Sequence, residues 1–293
     1  MRIVVTGAKG LLGRQVVRAC VACGDEVIET DVTPDQMVVD ITDIDSISGM
    51  LTSIKPHWLI NCAAYTDVDG CEEHEESAFS LNAQGPQLLA QACEHQGTKL
   101  LHISSDYVFD GEKSEPYTEE DLPNPINVYG KSKLAGEEGV IHSMQDFIII
   151  RPQWLFGPHG KNFVSTILEI AGQRDSINVV NDQWGSPTYS KDLAKALRRL
   201  IDNDARGIYH VCNRGRATWY DLAKKAIEFM ELDTKVVPVG TSEFPRPAPR
   251  PKNSTLSTRK FTDVTGKLMP VWQISLQLYI REYLFARRQL GRA

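Results

Sequence analysis

At 293 residues the chain exceeds the commonest domain size, so one large α/β domain with a smaller appended lobe is the expected architecture. Its 42% apolar content can fill a sizeable core, and a net charge of −6 with both signs interspersed offers no basic footprint for nucleic acid or an anionic membrane. A small molecule is the expected partner. Six cysteines (Cys20, Cys23, Cys62, Cys71, Cys93 and Cys212) fall mostly inside apolar periodic segments rather than at disulfide spacings, and read as reduced, buried thiols. Cys20-x-x-Cys23 lies late in an amphipathic helix with no second Cys pair or nearby His, which favours packing over metal. No signal-peptide pattern precedes the first strand and no apolar run has membrane-spanning length, so a soluble, cytoplasmic protein is expected.

Ile3-Val4-Val5 has the unbroken β-branched character of a central parallel strand. It feeds directly into Gly7, Gly10 and Gly13, a G-x-x-G-x-x-G turn ahead of a helical pattern, where glycines admit a pyrophosphate to the helix N-terminus. The strand Glu26 to Glu29 leads to Asp31, placed to bind an adenosine ribose, which favours NAD; Arg14 is placed to meet a 2′-phosphate, which favours NADP. Asp40-Ile41 closes the next strand and flanks an adenine, or Asp40 simply caps the helix starting near Asp43. Trp58 to Cys62 is a further buried strand, followed by the small residues Ala63 and Ala64 and then Tyr65.

A helix is expected from about Glu75 to Gln96, and the strand Leu100 to Ser104 then delivers Ser105-Asp106-Tyr107 to the same rim. Ser105 is either a reacting hydroxyl or a local strand terminator. The Gly-, Pro- and Asp-rich stretch Asp110 to Asn127 reads as a long loop leading to Val128-Tyr129-Gly130-Lys131-Ser132-Lys133. At a helix start, Tyr129 and Lys133 share one face, a phenol and an ammonium suited to carbonyl reduction beside a dinucleotide. Phe147 to Ile150 is another strand, and Arg151 to Pro158 marks a crossover in which Trp154 either stacks on a flat substrate group or anchors the chain. Helices are expected over Asn162 to Gln173, Ser190 to Ile201, Thr218 to Met230 and Trp272 to Arg288, with Ile208 to Val211 as the last main-sheet strand. Pro245 to Pro251 is an extended segment whose Arg246 and Arg250 either grip a diphosphate or face solvent. The expected fold is a Rossmann-type doubly wound parallel sheet, 1–151 with 176–213 returning to it, and a smaller C-terminal α/β substrate-binding lobe from 152–175 and 214–293.

The stretches Thr6-Gly7-Ala8-Lys9-Gly10-Leu11-Leu12-Gly13, Asn61-Cys62-Ala63-Ala64, Ser105 and Tyr129-x-x-x-Lys133 resemble the extended short-chain dehydrogenase/reductase superfamily. Ala63 to Asp69, Ser105 to Gly111, Pro125-x-x-Val128 to Lys133, Arg151-x-x-Trp154 to Gly157 and Arg250-Pro251-x-Asn253-Ser254-x-Leu256 narrow the resemblance to its dTDP-4-dehydrorhamnose reductases. That resemblance implies NADPH- or NADH-dependent reduction of the C4 ketone of a dTDP-6-deoxy-4-ketohexose. It casts Ser105, Tyr129 and Lys133 as catalytic, and Gly7, Gly10, Leu11, Leu12, Gly13, Asp31, Asp40, Ile41, Ala63, Ala64 and Tyr65, with Tyr129 and Lys133, as cofactor-binding. Tyr65, Asp67, Ser105, Asp106, Tyr107, Trp154, Arg250 and Asn253 become contacts to the sugar nucleotide, and a homodimer is admitted. Some members carry a glutamate after the glycine motif that is linked to an interface magnesium; Gln15 stands here, so no metal is expected. Dehydratases of the superfamily follow their catalytic Ser or Thr with Asp-Glu, whereas Asp106 is followed by Tyr107. Two rival readings are a nucleotide-sugar 4-epimerase with tightly held NAD and a non-catalytic module like the regulatory subunit of methionine adenosyltransferase.

Overall fold

The short β-branched runs pair into one seven-stranded sheet whose strands are all parallel. Its strands are β1 (Arg2–Thr6), β2 (Glu26–Asp31), β3 (Met37–Val38), β4 (Trp58–Asn61), β5 (Lys99–Ile103) and β6 (Phe147–Arg151), with Gly207–His210 on the far edge. The structure, a computed structural model, describes residues 1–33 and 37–290, and the side chains of all of these but the last four. The order is Gly207–His210, β6, β5, β4, β1, β2, β3, so the winding reverses between β1 and β4 and opens a crevice at their C-terminal ends. Alternate side chains supply two cores. Ile3 and Val5 pack under the helices Gly13–Ala22 and Ser190–Asp202, while Val4, Leu59 and Leu100 pack under Ile44–Ile54 and Gly85–Gln96. All five are fully buried, at about 1.5–3 kcal/mol each, which explains the apolar runs Ile3-Val4-Val5, Leu59-Ile60 and Leu100-Leu101.

The second lobe differs from the expected boundaries. Ser176–Val180 does not return to the main sheet but pairs in parallel with Lys235–Val239, because its alternate apolar residues Ile177 and Val179 are buried against the helices Phe163–Ala171 and Trp219–Phe229. Lys235–Val239 and the helix Arg259–Thr265 gave no sequence signal; Pro238 is tolerated because its strand is an edge. The helix expected from Glu75 to Gln96 contains a π-turn, Ser80–Gln84, centred on Asn82. Asp43, not Asp40, caps Ile44–Ile54 by accepting the Asp45 N–H at 3.0 Å. Asp40 instead accepts the N–H and hydroxyl of Thr42. Cys23 is exposed rather than buried, since it is the C-cap one turn beyond the last inward position, Cys20. Gln15 is buried, so its side chain faces the interior rather than a partner surface. Among the described residues no helix is long and apolar enough to cross a membrane.

Candidate active site

A cavity of about 650 Å³ crosses the C-terminal edge of the sheet, from Asp31 at the end of β2 to Gln153 and Trp154 beyond β6. The glycine turn forms its floor. Gly7 has φ +64°, and a Cβ there would lie 2.7 Å from the Ala63 nitrogen; one at Gly13 would lie 2.1 Å from the Gly7 carbonyl oxygen. Only bare backbone lets the turn fold this tightly against the end of β4. The helix Gly13–Ala22 opens with no side-chain cap and no acid in its first turn, leaving its positive end for an anion. Asp31 is steadied by the N–H groups of Lys9 (3.0 Å) and Val32 (2.9 Å). Bare turn, uncapped helix and carboxylate together fit a dinucleotide.

The opposite wall carries the hydroxyls. Ser105 follows β5 and caps the single turn Asp106–Val108, accepting the Tyr107 N–H at 3.2 Å and donating to Asp106 Oδ1 at 3.1 Å. Asn127, last residue of the long loop, caps the helix Val128–Ser143 through the Gly130 N–H at 2.7 Å, while Glu72 accepts from the Val128 N–H at 2.9 Å. Those two contacts set the helix start, so Tyr129 occupies its first turn and Lys133 lies one turn on. Tyr129 is half-buried, lines the cavity and meets the Tyr107 ring edge-on at 5.5 Å. Lys133 is buried, with Nζ donating to the Ile103 carbonyl at 2.6 Å; Lys131 is exposed.

Burial dominates the electrostatics here. It pushes the Tyr129 phenol above its ordinary value, with a hydrogen bond to Ser105 opposing, and it draws Lys133 down to about 8 against the pull of Glu137. Glu137 grips Arg151 through two hydrogen bonds of 2.9 and 2.5 Å and also accepts the Ser104 hydroxyl, all in the interior. Arg151 lies 3.5 Å from His210 and over the Phe109 ring, so this buried cation meets a carboxylate, an imidazole and an aromatic face.

Residues 1–285 match the family model described as RmlD substrate binding domain. The dTDP-4-dehydrorhamnose reductase of Aggregatibacter actinomycetemcomitans is 39% identical over 96% of this chain and 99% of its own. The chain belongs to the dTDP-4-dehydrorhamnose reductase family. Among solved structures, the family member from Clostridium acetobutylicum superposes with a TM-score of 0.93 at 41% identity, covering 97% of this chain and 100% of that one. The Bacillus anthracis dTDP-4-dehydrorhamnose reductase, solved in complex with NADP, gives 0.92 at 38% identity, covering 96% and 99%.

For this family member, the cavity is lined by Gly7, Gly10, Leu11, Leu12, Gly13, Asp31, Asp40, Ile41, Ala63, Ala64, Ser105, Asp106, Tyr107, Tyr129, Lys133 and Trp154. Four expected residues do not line it. Tyr65 is held by its backbone between Asn82 Oδ1 and Nδ2, and its hydroxyl lies over Gly70. Asp67 caps the helix Val68–Glu73. Arg250 is paired with Asp69 at 2.5 Å, close behind Tyr107, and Arg246 stands 3.7 Å from the same carboxylate. Asn253 commits its side chain to the Lys113, Ser114 and Thr255 loop contacts, which makes it a fastener rather than a ligand. Arg14 also stays off the lining, exposed and donating to the Lys9 carbonyl. Trp154 anchors the crossover, stacked on Trp219 with ring centroids 3.6 Å apart, and it also lines the cavity, with φ +45°. Lining residues absent from the sequence reading include Gln153, Lys161 and Asn162. For the first, the available signal was its place between Pro152 and Trp154, just past a buried strand.

Proposed function

We propose that this chain reduces the C4 ketone of dTDP-4-dehydro-6-deoxy-L-mannose to dTDP-L-rhamnose with NADPH or NADH, a step toward cell-surface polysaccharide. The observation that carries the reading is the convergence of Ser105, Tyr129 and Lys133 on one wall of a cavity floored by the glycine turn. A reduced nicotinamide dinucleotide, once bound, supplies the hydride. Gly7, Gly10 and Gly13, with the Leu11–Leu12 backbone, cradle its pyrophosphate; Asp31 holds the adenosine ribose, Asp40 and Ile41 flank the adenine, and Ala63 and Ala64 leave it room. Tyr129 gives its proton to the ketone oxygen as that oxygen gains charge, and Ser105 orients the same oxygen. For exchange near neutral pH the phenol must come down from about 10 by roughly 3 pH units, about 4 kcal/mol, against the burial that raises it. Lys133, a cation one helical turn away, is the protein's source of that stabilisation. Asp106, Tyr107 and Trp154 bound the sugar, with Arg250 at the rim behind Tyr107. In this reading residues 1–151, together with the helix Ser190–Asp202 and strand Gly207–His210, hold the cofactor, and the remaining lobe holds the nucleotide.

Mixing the 4-keto sugar nucleotide with NADPH or NADH and following cofactor oxidation tests the proposal. We expect turnover that falls at least about a hundredfold in Tyr129→Phe, the lower range for a general acid, and is unchanged in Lys131→Ala. Stoichiometric NAD retained through purification, with no NADH or NADPH consumed, would point to an epimerase instead.

A further inference from the structure

Asp106 is set into the site more firmly than a sugar contact requires. Its Oδ2 lies 3.0 Å from Gln153 Nε2, and the glutamine cannot turn over: its Oε1 accepts the Ser186 N–H at 2.6 Å, while Nε2 also reaches the Ser254 carbonyl at 2.6 Å and the Ser254 hydroxyl at 2.7 Å. Asp106 and Gln153 are both almost fully buried. Oδ2 therefore faces the Gln153 amide, and a proton that Asp106 directs at Ser105 sits on Oδ1, 3.1 Å from the serine hydroxyl. Ser105 has one O–H and two lone pairs, and the Tyr107 N–H occupies one lone pair. Only the O–H and a single lone pair remain to be shared among Asp106, the Tyr129 hydroxyl and a bound ketone.

We propose that Asp106 is a positioning residue that sets which end of the Ser105 hydroxyl faces the substrate. Protonated, Asp106 donates to the serine oxygen and frees the serine O–H for the ketone; ionised, it takes that O–H and leaves the ketone to Tyr129 alone. The inference rests on the ketone reduction proposed above. Asp106 gains and loses no proton over a turnover, since Tyr129 supplies the one delivered to the new alcohol. Burial pushes Asp106 up to about 6 despite hydrogen bonds from Ser254, Gln153 and Ser105. Its titratable neighbours are Tyr129, Tyr107 and Cys212, whose ordinary values burial raises, with Arg250 and Asp69 paired to each other beyond Tyr107. Lys133 lines the same cavity and, drawn down to about 8, loses its charge above the range in which Asp106 titrates. An anionic sugar nucleotide that closes off water raises Asp106 further.

The test is the pH profile of single-turnover NADPH oxidation with the 4-keto sugar nucleotide, from pH 5 to pH 9. The wild-type rate should fall as pH rises, with a midpoint at or above about 6 and a limiting loss on the order of a hundredfold, the effect of one oxyanion donor. In D106N the side-chain amide donates permanently to Ser105 and still accepts from Gln153, so the part of the fall that belongs to Asp106 should vanish, leaving only the decline set by Tyr129 and Lys133, and the variant should outpace wild type at the alkaline end. Ser105→Ala should also abolish the part that belongs to Asp106, and adding D106N to it should change nothing. Gln153→Glu, which sets a second carboxyl against Asp106, should move the midpoint upward and provides the test if D106N folds poorly. An unchanged fall in D106N, or a D106N rate below wild type at the alkaline end, would overturn the inference. Absence of wild-type turnover at every pH would overturn the reductase reading, and the inference with it.

Discussion

Replacing Lys133 with methionine should stabilise the free protein while abolishing its turnover. The ammonium is 1% exposed, and the drop from the ordinary lysine value of 10.5 to about 8 represents roughly 3 kcal/mol by which folding disfavours the charged form. Methionine fills a similar volume without that cost, but strands the Ile103 carbonyl that accepts from Nζ, a loss of about 1 kcal/mol. The net gain near pH 7 is therefore about 2 kcal/mol, or a melting temperature higher by about 3 °C. The sign of its pH dependence follows from linkage. Below about pH 8 Lys133 is protonated in both states and wild type carries the full penalty. Between 8 and 10.5 the unfolded chain binds the proton that the folded chain has released, so wild type gains on the variant as pH rises. Thermal unfolding of both cofactor-free proteins at pH 7, 8, 9 and 10 would show a difference that is constant at first and then shrinks. A variant that melts below wild type at pH 7, or a difference that stays flat to pH 10, would refute the reasoning.

Two further outcomes follow from the walls of the site. Glu137→Gln leaves the Arg151 guanidinium buried without its carboxylate and should cost about 3–5 kcal/mol in urea unfolding; a loss under about 1 kcal/mol would show that the pair is not held as ions. Gly130→Ala places a methyl 2.1 Å from the Tyr107 carbonyl oxygen, forcing the Tyr107 turn away from the Tyr129 helix. A displacement on the order of 1 Å should lower kcat/KM by roughly a hundredfold with a modest loss of stability, and unchanged kinetics would mean that the contact is yielding rather than positioning.

The sheet was legible because its signals are local. Ile3-Val4-Val5, the strand preceding Cys62 and Phe147 to Ile150 announce buried parallel strands, and Gly7, Gly10 and Gly13 mark the turn at which the ligand crevice opens. Tyr129 and Lys133 were legible for the same reason: four residues on one helix fix their spacing wherever that helix goes, and the structure buries Lys133 while leaving Lys131 exposed. What decides whether a polar side chain faces a ligand or the protein is where its distant partner sits, and no local pattern carries that. Asn253 is consumed by the carbonyl of Lys113, 140 residues earlier, and Arg250 by Asp69, 181 residues earlier. Gln153 acquires its place in the site from Ser254, 101 residues later. Asn127 shows both kinds of information in one side chain. As a helix cap it follows from the residues next to it, but its bond to the Pro249 carbonyl at 2.8 Å ties the Tyr129 helix to the substrate lobe, and only the folded chain discloses that tie.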